Sequence, residues 1–254
     1  MWIRSELKER AKAAFKRNYW KCVLVALILT LLLGSGASSS VRKNQNQDAS
    51  ADQHQAVDML SGYGDSSLVQ SVVEAMEKLT PSQRTGVTIA LGGIGLVGIA
   101  LSILVFNPLI VGCRRFFLQN SRGGAELSEL GAGFKNNWGN VILVMFLRNL
   151  FLALWALLLV FPAIIKGYSY RMVPYLLTEH PELSGTQVIT VSRQMMNGHK
   201  WRAFVLDLSF LGWILLSIVT VGILGVFYVS PYVAATDAEL YKAIRAEYEA
   251  RASV

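Results

Sequence analysis

Residues 140–161 read NVILVMFLRNLFLALWALLLVF, an apolar run with one charged residue, Arg148. The hydrocarbon core of a bilayer takes about 20 consecutive apolar residues as an α-helix, so this run is long enough to cross it. Three further runs, Val23–Leu33, Val87–Val105 and Phe204–Val229, have the same character. Only 16% of the chain is charged and 53% is apolar, where a soluble domain carries roughly a quarter charged residues. The fold expected is an all-α polytopic membrane bundle. It has about six spans in three helical hairpins, with interfacial amphipathic helices, and forms a single membrane domain over residues 1–254.

Outward from this third span, Pro162 leads into Ala163–Leu177, a shorter and more polar fourth span. Residues 179–202 then form a polar cytoplasmic segment with its own amphipathic helix. Phe204–Val219 and Ile223–Tyr241 are the fifth and sixth spans, separated by Gly222. Upstream, Gly86–Phe106 is the second span, and its helix continues past Asn107-Pro108 to Gln119. Trp20–Gly36 is a short first span. Between these two, residues 37–85 turn polar and read as an extracytoplasmic loop inserted in the first hairpin. Within that loop Ser66 caps a helix whose Leu68, Val69, Val72, Val73, Met76 and Leu79 share a face. Residues 1–18 form an amphipathic helix. Trp2, Ile3, Leu7, Ala11, Ala14 and Phe15 recur at helical spacing, opposite Arg4, Lys8, Arg10, Lys12 and Arg17, which places it along the inner membrane surface. Gly34-Ser35-Gly36-Ala37 after an apolar stretch imitates a secretory signal, but the stretch before it is too long and too helical, so the segment is expected to persist as a helix.

The chain has 24 Lys and Arg against 17 Asp and Glu. These bases crowd beside the apolar runs, as charges that hold loops in the cytoplasm do, so no nucleic-acid partner is expected. Seventeen bases fall in segments assigned to the inside and four in the long external loop, which puts both termini in the cytoplasm. Cys22 and Cys113 lack any CxxC spacing, so neither a disulfide framework nor a metal or cofactor site is expected.

A local pattern occurs three times. Phe15-Lys16-Arg17-Asn18-Tyr19, Phe134-Lys135-Asn136-Asn137-Trp138 and Met195-Met196-Asn197-Gly198-His199 each open an outward-running helix. Each is followed by a returning helix that carries a proline, at Pro108, Pro174 and Pro231. Three hairpins, each preceded by a surface helix, account for the pattern, although apolar helices with interfacial aromatics also resemble one another by chance.

Gly93-Ile94-Gly95-Leu96-Val97-Gly98 fits GxGxxG, but it lies mid-span with no preceding strand, so it is not a nucleotide loop. Gly86, Ala90, Gly93 and Gly98 instead allow close helix approach. The informative residues are Arg148, Lys166, Arg171 and Asp207, because a charge at mid-membrane costs at least ~2.5 kcal/mol. Aligning the third and fifth spans by the repeat brings Asp207 to within about a turn of Arg148's depth, so these two are the expected ion pair. Two readings of the cluster remain open. Arg148, Lys166 and Arg171 could line a polar pathway or anionic-ligand pocket; alternatively, Lys166 and Arg171 snorkel to the interfaces while Arg148 and Asp207 fix packing. His199 has no second ligand at metal spacing and reads as an interfacial residue. Ser209, close to Asp207 in sequence, lacks a base and an oxyanion site, and no catalytic residue is expected.

Several segments together resemble one family. They include Ser5-Glu6-Leu7-Lys8, Asn18-Tyr19-Trp20-Lys21, Asn107-Pro108-Leu109 with Gly112 and Arg115-Phe116-Phe117-Leu118, and Ile165-Lys166-Gly167-Tyr168-Ser169-Tyr170 with Met172-Val173-Pro174-Tyr175. Ser192-Arg193 with Met196, Gly198-His199-Lys200-Trp201-Arg202, Leu206-Asp207-Leu208-Ser209-Phe210 with Gly212-Trp213, and Ser230-Pro231-Tyr232 extend the likeness. The chain resembles the uncharacterised bacterial integral membrane proteins of domain-of-unknown-function family 975. The resemblance implies a multi-pass protein of the bacterial plasma membrane and carries no activity with it. The function expected is therefore non-enzymatic binding of a partner or lipid in the cell envelope, with membrane lipids and a protein partner or second copy as candidate ligands. The alternative is a small transporter with a basic intramembrane cavity.

Overall fold

The computed structural model describes residues 2–34, 81–135 and 137–253, and among them there is no β-strand. The chain divides into two units, Leu33–Ser102 and the remainder. The described helical part of the smaller unit is residues 81–102, the first portion of a helix that runs Pro81–Arg122. Most of the polar loop at 37–85, with its expected Ser66-capped helix, lies outside the described residues.

The larger unit opens with α1 (Arg4–Arg17) and α2 (Tyr19–Gly34). Next come the Ile103–Arg122 portion of α3 (Pro81–Arg122) and a 3₁₀ helix, Leu127–Phe134. The second hairpin is α4 (Trp138–Leu158) and α5 (Val160–Ser169), followed by α6 (Val173–Glu179) and α7 (Gly185–Met195). The third is α8 (Lys200–Leu208) with α9 (Leu211–Val219), a π-helical turn at Gly225–Val229, and α10 (Ser230–Ala252).

The protein has two contrasting regions. One is a packed helical layer built from α1, α6, α7, α10 and the distal part of α3, whose interior holds Phe15, Phe116, Phe117, Tyr175, Met196 and Tyr241. The other is a set of apolar helices whose side chains face outward. Trp138–Leu158 and Lys200–Val219 are long and apolar enough to cross a membrane, and only 17% of each is buried within the protein. Leu157 and Phe161 are more than four-fifths exposed. In water such a surface carries a large hydrophobic cost.

Two expectations are revised. The apolar stripe of α1, assigned above to the membrane surface, is covered by protein: Leu7, Ala11, Ala14 and Phe15 are buried. α10 is the neighbour, with Trp2 N donating to Glu247 Oε1 at 2.9 Å and Tyr232 OH to the Lys8 carbonyl at 3.4 Å. The stretch Ala163–Leu177 is divided. α5 has ten residues, about 15 Å and half the ~30 Å bilayer core; residues 170–172 then turn, and every residue of α6 except Glu179 is buried in the helical layer. Among the described residues, two helices meet the length and hydropathy of a span. Two other expectations hold. α3 runs unbroken through Pro108, and Gly222 turns the third hairpin in a left-handed conformation, φ +83°, that glycine adopts without steric cost.

Candidate functional site

The break at residues 170–172 determines which charges meet. It brings Arg171 to the centre of a polar network between the helices. Its guanidinium donates to both oxygens of Asp207, at 2.7 and 2.8 Å, and also to Asp237 Oδ1. Arg114 of α3 donates to the other oxygen of Asp237 at 2.9 Å, and Tyr168 OH donates to Asp207 at 2.8 Å. Two arginines and two aspartates thus neutralise one another. The side chains of Arg114, Arg171 and Asp237 are each less than one-fifth exposed, and in such partly dry surroundings each charge depends on its partners.

A second node lies further along the same helices. Glu179, at the end of α6, accepts from Arg122 of α3, from Arg245 of α10 and from Tyr241 OH at 2.5 Å. Burial works against the charged form of Glu179, but the Tyr241 hydroxyl and the two guanidinium groups outweigh it and hold the carboxyl below its usual range. The two nodes are joined by a stacked pair, Tyr175 on Tyr241, with centroids 5.0 Å apart. Arg114 and Arg122, Arg171 and Glu179, and Asp237 and Arg245 are each eight residues apart. On a helix that spacing is close to two turns and returns to the same face, so α3 and α10 present both nodes from one face.

The four residues singled out from sequence do not form one cluster. Arg171 and Asp207 pair, but Arg148, the partner expected for Asp207, is engaged elsewhere. Its Nε donates to the Tyr170 carbonyl at 3.3 Å and its Nη1 to Asn149 Oδ1 at 3.0 Å. Lys166 lies over the Trp155 ring, 4.9 Å from its centroid, and lines an open cleft of about 390 Å³ with Ser169, Arg193, Gln194, Asn197 and Lys200. His199 is buried beside Trp2, near Glu247 and Arg251 of α10. Burial first, and then the nearby Arg251 and Arg202, hold its imidazole below the ordinary value against the pull of Glu247.

Arg114 and Asp237 are the functional residues that sequence reasoning missed. The available signal was positional: each lies six residues beyond the proline of its returning helix, with opposite charge. Arg193 and Lys200 carried, beyond their charge, only their place in the segments of the family resemblance. Among the described residues no group of three or more His, Cys, Asp or Glu could hold a metal ion. The geometry is that of a closed polar staple beside one open basic cleft.

Residues 145–248 match the model of a family described as Protein of unknown function (DUF975). No curated protein and no solved structure matches the chain. The matched stretch takes in most of the second hairpin and the third, including Arg171, Asp207 and Asp237. The resembling segments before residue 145 lie outside it.

Proposed function

We propose that this chain, whose residues 145–248 belong to the DUF975 family, is a non-enzymatic, lipid-binding integral protein of a bacterial plasma membrane with both termini in the cytoplasm. In this reading the apolar helices of the hairpins stand in the bilayer and the packed helical layer sits at its inner face. The observation that carries it is the contrast between the two regions. Among the described residues, the two helices long and apolar enough to span are about 17% buried, while the adjoining layer has a buried apolar interior and ion pairs within it. Such a boundary suits a molecule that is half in lipid and half in water. α5, too short to cross alone, enters as the returning limb of a hairpin that reaches partway into the bilayer.

A transporter built on a common cavity of Arg148, Lys166 and Arg171 is less well supported. Two aspartates occupy Arg171, a carbonyl and an amide occupy Arg148, and only Lys166 faces open space.

Alkaline carbonate extraction of membranes from expressing cells tests the reading. The chain is expected to stay with the pellet, and after purification to lose thermal stability on delipidation and regain it when lipid is returned. Release into the carbonate supernatant would overturn it.

A further inference from the structure

The cleft between α5, the end of α7 and the start of α8 supports a ligand assignment, one that rests on the lipid-embedded reading above. Its lining holds three cations, Lys166, Arg193 and Lys200, and no carboxylate. Among the described residues none of the three makes an ion pair or a hydrogen bond, and Lys166 has only the face of Trp155. Six other cations of the helical layer are paired. Arg114, Arg115, Arg122, Arg171, Lys242 and Arg245 each meet a carboxylate. Three like charges around one cleft repel one another, and a negative ligand removes that repulsion. Gln194 adds a donor, since its carbonyl oxygen accepts from Tyr248 OH and leaves its amide N–H groups free. At about 390 Å³ the cleft falls within the ~300–1,000 Å³ typical of small-ligand pockets.

The rim indicates where the anion comes from. Ile165 and Trp201, adjacent in sequence to Lys166 and Lys200, are 54% and 71% exposed. Phe204 stacks on Trp201 with centroids 5.3 Å apart and meets Tyr168 edge-on at 6.2 Å, which ties α5 to α8 beside the cleft. A free phosphate would use the charges and leave this apolar, aromatic border unused. A phospholipid uses both, because basic residues and tryptophans side by side are how membrane proteins hold the headgroup level. We propose that the cleft of Lys166, Arg193 and Lys200 is a headgroup site for an anionic phospholipid, with the phosphodiester among the three cations and the acyl chains along Ile165, Trp201 and Phe204.

The full chain, purified in neutral detergent, is offered phosphatidylglycerol or phosphatidylcholine, and bound lipid is counted by native mass spectrometry. Wild type is expected to retain phosphatidylglycerol selectively. Lys166→Gln, Arg193→Gln and Lys200→Gln together are expected to weaken it by roughly 100-fold, about fivefold per charge, with unchanged melting in phosphatidylcholine nanodiscs. The charge-preserving set Lys166→Arg, Arg193→Lys and Lys200→Arg is expected to retain selectivity, and inorganic phosphate should not displace the lipid. Should the triple variant fail to fold, the three single variants decide, each expected to lose about fivefold. Phosphatidylglycerol bound as tightly by the neutralised variants as by wild type would overturn the site. Inorganic phosphate bound through the same three charges would make it a soluble-anion site and overturn the lipid assignment. Wild type that resists carbonate extraction yet shows no preference between the lipids would overturn this site alone; wild type released by carbonate would overturn the membrane reading as well.

Discussion

Asp207 shows how far a charge pattern can be read without coordinates. Its need for a cation follows from its apolar neighbours, and Arg171 stood among the candidates. The choice of Arg148 came from aligning the third and fifth spans by their repeat, which compares only those two helices, whereas the turn at 170–172 brings Arg171 onto Asp207. Nothing in the local composition marks the turn strongly, because Tyr170, Arg171 and Met172 are all acceptable helix residues. Pro174 two residues later was the available hint, since a proline disfavours helical backbone just before it. A double-mutant cycle separates the two pairings. Arg171→Leu with Asp207→Leu is expected to show a coupling of about 0.5–3 kcal/mol, toward the lower end because the Asp207 side chain is 35% exposed. Arg148→Leu with Asp207→Leu is expected to be additive within about 0.5 kcal/mol. The measurement is thermal or denaturant unfolding of the detergent-solubilised variants.

At the scale of elements, α3, α4 and the α8–α9 pair were legible because long apolar runs leave few alternatives. The 3₁₀ helix Leu127–Phe134 was not, because it is only eight residues long and is seated on α3 by close main-chain contact. It lies directly on α3 at two glycines. A Cβ built on Gly112 would sit 2.0 Å from the Leu130 carbonyl oxygen, and one on Gly133 2.0 Å from that of Pro108. These are main-chain collisions that no rotamer change relieves. Gly112→Ala is therefore expected to destabilise by about 1–3 kcal/mol, the usual cost of overpacking. Gly131→Ala, which meets nothing within 4 Å, should stay within about 0.5 kcal/mol of wild type. Melting temperatures of the two variants in the same detergent check this. α1 was placed correctly in sequence and wrongly in space, since an amphipathic stripe reads the same whether lipid or protein covers it. Here α10 covers it.

For the molecule as a whole, the all-α fold follows from hydropathy, while the layer that joins its helices does not. That layer depends on long-range pairs such as Arg114–Asp237 and Arg122–Glu179, and a single sequence shows such charges without showing which of them meet. The eight-residue spacing of charges was present in the chain, but it gains meaning only once α3, α6 and α10 are known to be neighbours. The proposed topology makes one claim that can be checked directly: that the helical layer faces the cytoplasm. Thr190 lies exposed on α7 within that layer, and the native Cys22 and Cys113 are free but buried, so wild type supplies a low background. Thr190→Cys should react with a membrane-impermeant maleimide in inverted membrane vesicles and remain unlabelled in intact spheroplasts. Labelling of Thr190→Cys in intact spheroplasts would place the layer outside the cell and contradict the account.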